Sequence, residues 1–269
     1  MSIITISRGS SSMGKAVAEK VAAKLECDIF SRDLLFKTSG RFHVPQKTLE
    51  KAIHDAPGIF ERYSHTKKVY LTYIRAILTE MVAGGNIVYY GLAGHLLLDK
   101  LPHVLKVRIT ANLDGRVKRK MTEGFSEKKA RDMILADDDQ RKKWSRKIYD
   151  ADPNDCSLYD LTVCIDKLSV ENAVDCICRC ASRKAFESTS DCVRQSKDLS
   201  LAWNAKVLLV ESFPDVGITC EYGNLLIYAT EKEAHTTKFK KILDDIKKEN
   251  YDIYNLEVHT GLPVPANAV

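Results

Sequence analysis

No apolar run in this 269-residue chain approaches the roughly eighteen residues that a membrane-spanning helix needs, so a membrane partner is not expected. The N-terminus also lacks the basic-then-apolar pattern of a secretory leader and runs straight into a β-branched stretch. Without a leader, the eight cysteines are expected as reduced thiols in a cytoplasmic protein. Zinc coordination is equally unsupported. Cys176, Cys178 and Cys180 have no partner pair at C-x2-4-C spacing elsewhere, and no metal ligand is assigned. On a helix Cys176 and Cys180 would share a face with Ala173 and Ile177, so core packing is their expected role. His95 and His103 show no paired arrangement and read as surface or core residues. One-signed charge is scarce too: 41 basic against 36 acidic residues leave a net charge of only +5. Its excess gathers between Lys106 and Lys147, where aromatic residues are not interleaved at base-stacking spacing, so nucleic acid is not the expected partner.

What is present begins at the first strand. Ile3, Ile4, Thr5 and Ile6 lead into Gly9, Ser10, Ser11, Ser12, Met13, Gly14 and Lys15, followed by an Ala-rich helix expected over 15–25. Small residues between a strand and a helix N-terminus leave bare backbone N–H groups that can wrap an anion, so this reads as a phosphate-binding loop. Its departure from G-x4-G-K-[ST] is Ala16, which stands where a Mg²⁺-coordinating hydroxyl is usual.

The composition, 45% hydrophobic and 29% charged, is that of a soluble globular protein. Strands are expected at 3–7, 28–30, 86–90, 104–109 and 159–165. Helices are expected at 46–54, 59–83, across 113–149, and from a Ser169 cap to about 183. Alternation of this kind implies a parallel α/β sheet. Polar residues 184–197 read as a linker between a 1–183 domain and a small unit at 198–262. In that unit a helix over 199–211, a hairpin around Tyr222-Gly223-Asn224, a helix over 231–248 and a strand over 253–259 give α-β-β-α-β order. This pattern resembles a BON module, a small fold associated with binding, and implies a protein or ligand partner.

Phosphoryl transfer requires positive charge over phosphate oxygens and in-line positioning. Lys15 stands where a loop lysine reaches the outer phosphates. Arg116 and Arg119 share a helix face, and Arg141 and Arg146 return from the other arm of the same segment. Arginine suits this task because its planar fork binds two oxygens at once.

Several motifs lie in order: Ile6-Ser7-Arg8; Phe30-Ser31-Arg32-Asp33-Leu34-Leu35; Val88-Tyr89-Tyr90-Gly91; Val107-Arg108-Ile109-Thr110-Ala111-Asn112-Leu113; Asp138-x-x-Arg141-x-x-Trp144; and Ser157-Leu158-Tyr159-Asp160-Leu161. Through them residues 1–180 resemble the cytidylate kinase-like family of P-loop nucleoside monophosphate kinases. The resemblance implies a five-stranded parallel sheet flanked by helices with a helical lid, beside a small C-terminal α+β domain. It also implies ATP and Mg²⁺ as co-substrate and cofactor, with a pyrimidine monophosphate, CMP or dCMP, as acceptor. By it, Lys15, Arg116, Arg119 and Arg146 serve catalysis, and Gly9 through Ala16 hold nucleotide. Asp138 and Arg141 read the cytosine and monophosphate, bordered by Arg32 and Arg41.

Departures from the family pattern cluster. The usual Tyr-Asp-Arg-Glu is Phe30-Ser31-Arg32-Asp33, the usual Gly-Arg is Gly91-Leu92, the asparagine closing the fifth strand is Cys164, and Ser11 and Met13 replace loop glycines. Loss of one charge-stabilising donor typically costs two to three orders of magnitude in turnover. Two main readings follow: a CMP/dCMP kinase, and a nucleotide-binding regulator that signals through its C-terminal module. A kinase acting on a different acceptor shares the same loop and lid.

Overall fold

The computed structural model describes residues 2–31, 33–54, 65–91, 93–249 and 252–269, with only the backbone described at 53, 54 and 249. The expected Pro57-Gly58 break and the start of the helix expected from 59, together with Arg32 and Leu92, lie outside the described residues. Along the first two-thirds the order is β1 (Ile3–Arg8), α1 (Gly14–Lys24), β2 (Asp28–Phe30), α2 (Asp33–Phe42), α3 (Gln46–His54), α4 (His65–Ala83), β3 (Ile87–Tyr90), α5 (Gly94–Leu97), β4 (Leu105–Thr110), α6 (Leu113–Met121), α7 (Glu127–Tyr149), β5 (Leu161–Cys164) and α8 (Val170–Ala181). There follow α9 (Ser190–Val210), β6 (Gly217–Glu221), β7 (Asn224–Ala229), α10 (Glu231–Ala234), α11 (Thr237–Glu249) and β8 (Asn255–Thr260).

The chain divides into two compact units. One comprises Met1–Phe36, Pro45–Arg62 and Gly85–Ser188; the other comprises Lys37–Val44, Tyr63–Gly84 and Thr189–Val269. In the first, the parallel sheet runs β2-β3-β1-β4-β5. β1 sits between β3 and β4, with Ile6 opposite Tyr90 on one side and Val107 on the other. Parallel sheets of this type bind ligands outside the carboxyl ends of strands where the order reverses, here the end of β1 that feeds the loop. Strand alternation decides the two sheet faces. Ile4, Ile6, Leu105, Val107 and Ile109 join Val17, Val21 and Ile177 in one core, and β4 alternates buried with half-buried positions throughout. Lys106, Arg108 and Thr110 therefore face the other side.

The cysteine expectation needs correction: Cys178 is buried, Cys176 is exposed and Cys180 is half-buried. Ala173, Val174, Ile177, Cys178 and Ala181 form the packed face of α8, and Cys176 falls on the far side of that stripe. All eight thiols are free. The Ser169 cap is as expected: Ser169 Oγ accepts from the Asn172 N–H, and the Ser169 N–H donates in return to Asn172 Oδ1.

The second unit packs α9 and α11 against the β6-β7-β8 sheet around Leu209, Ile218, Leu225, Ile227 and Phe239. β6 and β7 are antiparallel, and β7 and β8 are parallel. α4 joins this unit, with Val69, Tyr73 and Val210 buried together and Tyr73 stacked on Phe42 at 4.1 Å. Helix α9 begins at Ser190, so 190–197 is helical where a linker was expected. Its buried positions there and just beyond include Ser196, Asp198 and Ser200, which carry no apolar period. Among the described residues no helix is long and apolar enough to cross a membrane.

Candidate active site

The loop between β1 and α1 is folded back on β4. Gly9 N–H donates to Ile109 O at 3.1 Å, and Ser12 Oγ lies 2.9 Å from Gly9 O and 3.1 Å from Ile109 O, sharing one proton between them. Ser11 (φ 53°) and Met13 (φ 67°) are left-handed, which turns the chain sharply into α1. Gly14 opens that helix because a Cβ there would meet Arg8 Cβ at 2.9 Å. No side chain caps α1. The first-turn N–H groups, which have no intrahelical partner, present the positive end of the helix to the loop.

Helices α6 and α7 close over this loop. Arg116 Nη1 donates to Asp138 Oδ2 at 2.6 Å and to Ser10 O at 3.3 Å. Arg119 Nε donates to Ser11 O at 2.9 Å. Asp138 Oδ1 accepts from the Ser10 N–H at 3.2 Å, so a carboxylate occupies a loop amide suited to a phosphate. Arg141 donates to Arg8 O at 3.1 Å and pairs with Asp137 at 3.0 Å. Burial pushes the Asp137 carboxyl up, but the charge and hydrogen bond of Arg141, with Ser10, outweigh it and hold it below the usual range. Two buried donors, Arg116 Nε and Arg119 Nη2, have no partner among the described residues. Buried orphan donors are costly and native proteins rarely keep them, so their position beside the loop fits an anionic ligand.

Below the lid lies a cavity of about 210 Å³, lined among others by Ser7, Arg8, His95, Arg108, Asp138 and Arg141. Ser7 Oγ is 2.8 Å from His95 Nδ1, and His95 Nε2 is 3.2 Å from Tyr159 Oη. Burial, aided by Arg108 and Lys106, lowers the His95 pKa to about 3, so the imidazole is neutral at physiological pH. Gly94 places His95 here, since a Cβ at Gly94 would lie 2.6 Å from the Tyr89 ring.

The site residues expected from sequence are partly brought together. Gly9, Asp138, Arg116 and Arg141 line the cavity, and Arg119 reaches the loop. Lys15 instead lies 72% exposed and pairs with Glu19 at 3.6 Å. Arg146 pairs with Asp152 at 2.9 Å and does not line the cavity. Arg41 falls in the second unit, bonded to Glu80 at 2.7 Å and Asn204 at 3.1 Å. Arg32 is outside the described residues. Sequence reasoning missed Asp137, Arg108 and His95. For Arg108 the signal was present: an arginine between Val107 and Ile109 in a strand flanked on both sides needs a polar destination.

The family model described as the cytidylate kinase-like family matches residues 3–167. No curated protein matches this chain. A crystal structure of an uncharacterized protein from Eubacterium ventriosum is similar at 22% identity, covering 68% of this chain and 100% of that one, with TM-score 0.52. A shikimate kinase from Bacteroides thetaiotaomicron is similar at 14% identity over 68% of this chain and 99% of its own, with TM-score 0.41. A shikimate kinase from Acinetobacter baumannii, solved with shikimate, matches at 10% identity over 67% and 92%, with TM-score 0.37.

Proposed function

Because this chain belongs to the cytidylate kinase-like family, we propose that it transfers the γ-phosphate of ATP to a pyrimidine nucleoside monophosphate, CMP or dCMP. The observation that carries the proposal is the pair of buried, unpartnered donors Arg116 Nε and Arg119 Nη2 set over an uncapped helix N-terminus. Gly9 through Ala16 cradle the ATP phosphates with backbone N–H groups. Lys15 leaves Glu19 to join them, and an exposed pair of that kind costs at most about 1 kcal/mol to break. The acceptor lies in the cavity, its cytosine amino group donating to Asp138 once nucleotide displaces that carboxylate from Ser10 N–H.

The residues present do not supply a Mg²⁺ shell. Position 16 has no oxygen, Ser12 Oγ is committed to two carbonyls, and no cluster among the described residues could hold a metal ion. A Mg²⁺ ion accompanying ATP would therefore rest on phosphate oxygens and water, and would supply charge neutralisation. The protein's share of charge compensation falls on Lys15, Arg116 and Arg119.

The hold of Asp138 on the loop amide favours a second reading, a nucleotide-binding regulator with weakened transfer. In both readings the C-terminal α-β-β-α-β segment, BON-like in its order, binds a partner, and the free thiols suit a reducing cytoplasm. Coupled ADP release with CMP, dCMP, UMP and AMP, run beside calorimetry with a non-hydrolysable ATP analogue, tests the assignment. Turnover with CMP or dCMP supports transfer. Analogue binding without turnover supports the regulator, and neither result rejects both.

A further inference from the structure

The cavity floor carries charge that the lid does not account for. Arg108 lies on the inner strand β4, on the sheet face opposite the core of α1 and α8. Its guanidinium is held from two sides: Nη1 donates to Tyr159 Oη at 3.0 Å and Nη2 donates to Asn154 Oδ1 at 2.7 Å. The same group lies over the Tyr159 ring, 5.4 Å from its centroid. Tyr159 is fixed in turn, with its hydroxyl 3.1 Å from Pro153 O and 3.2 Å from His95 Nε2.

One proton arrangement satisfies every atom of this chain. Ser7 donates to His95 Nδ1, His95 Nε2–H donates to Tyr159 Oη, and Tyr159 donates to Pro153 O. Tyr159 Oη then accepts from both His95 and Arg108. Each partner of Arg108 is neutral. Among the described residues no carboxylate lies within 4.0 Å of Arg108, whereas Arg116 and Arg141 each have one. A cation on a cavity wall, oriented by neutral groups and lacking a counter-ion, is built for an incoming anion.

We infer that Arg108 forms a floor subsite for the phosphate of a phosphomonoester, the group through which the acceptor nucleotide is anchored beneath the lid. The inference rests on the kinase reading for the identity of the acceptor, and on the cavity alone for the anion.

The test is calorimetry in phosphate- and sulfate-free buffer on wild type, Arg108→Gln, Arg108→Lys and Asn154→Ala. The probes are CMP, cytidine, inorganic phosphate and, separately, a non-hydrolysable ATP analogue. Wild type should bind CMP at least tenfold more tightly than cytidine. Arg108→Gln should erase that difference and leave analogue affinity within twofold. Arg108→Lys keeps the charge without the fork and should lose about half of the gain on a logarithmic scale. Asn154→Ala alters only an exposed side chain, keeps the protein folded, and should weaken CMP three- to tenfold. Equal CMP affinity in wild type and Arg108→Gln, or wild type binding neither CMP nor inorganic phosphate, overturns the subsite. Phosphate binding that depends on Arg108 in a protein that binds no ATP analogue keeps the subsite and overturns the kinase reading instead.

Discussion

Two aspartates in this molecule do the same thing with opposite consequences. Asp198, in the second unit, accepts from Tyr222 N–H and Gly223 N–H, both at 2.9 Å, and from Arg194 at 2.7 Å. Arg194 in turn covers the Tyr222 ring at 3.7 Å. Asp138, over the loop of the first unit, likewise takes one backbone N–H and one arginine. The Asp198 side chain is only 8% exposed and its site is saturated. The Asp138 side chain is 33% exposed, and its site borders a cavity and leaves two arginine donors unpartnered. A carboxylate that satisfies every nearby donor locks a turn. One that leaves donors over is holding a place that a ligand can take.

The sharpest way to break the comparison is to delete each carboxylate. Asp198→Ala should destabilise the protein by about 2–4 kcal/mol in urea unfolding, because it strands the buried Gly223 amide and the half-buried Tyr222 amide, while Arg194 keeps Asp191. Asp138→Ala should cost less than about 1 kcal/mol. Equal losses would show that both sites are structural. Next in size, Arg116→Ala should lower kcat/KM for CMP about 100-fold, near 3 kcal/mol, as removal of a charge-stabilising donor does. Unchanged turnover would remove Arg116 from the chemistry.

The open side of the comparison extends to His95. Its folded pKa of about 3 lies below the ordinary value, so the stability it contributes is full above about pH 6.5 and drains as pH falls toward 3. Wild type should lose about 2 kcal/mol more than His95→Asn between pH 7 and pH 5, read from paired urea melts. Parallel pH profiles would mean that the imidazole is not held neutral. The smallest effect concerns the latch itself. Asp138→Asn removes a charge that competes for Ser10 N–H, so an ATP analogue should bind about threefold more tightly, near 0.7 kcal/mol. Weaker binding would show that Asp138 assists the loop.

Much of the first unit was legible from local pattern. β-branched runs marked the strands, and the order of strand, small-residue loop and helix located the β1–α1 loop to within a residue. Irregular patterns were harder. The segment 113–149 reads as one helical region, yet it breaks between α6 and α7 where Gly124 takes φ 94° and Ser126 caps the second helix. Helix α2 escaped notice because of its short period and Gly40. The start of α9 was hidden because polar side chains are buried there. The burial of Cys178 rather than Cys176 turned on which flank of the Ala173–Ile177 face the packed stripe spreads to, here that of Val174 and Ala181.

By itself the sequence determined the parallel α/β arrangement, the small-residue loop between the first strand and its helix, and the set of arginines in the segment that follows the fourth strand. Those depend on near-neighbour periodicity and on backbone sterics, which act over a few residues. Which arginines are spent on aspartates and which stay open was decided only in three dimensions. Ser7 meets Arg108 across a strand register, and His95 meets Tyr159 across 64 residues of chain. Charge pairing follows distance in space, and so only the folded sheet separates Arg41 and Arg146, tied to Glu80 and Asp152, from Arg108 on the open cavity floor.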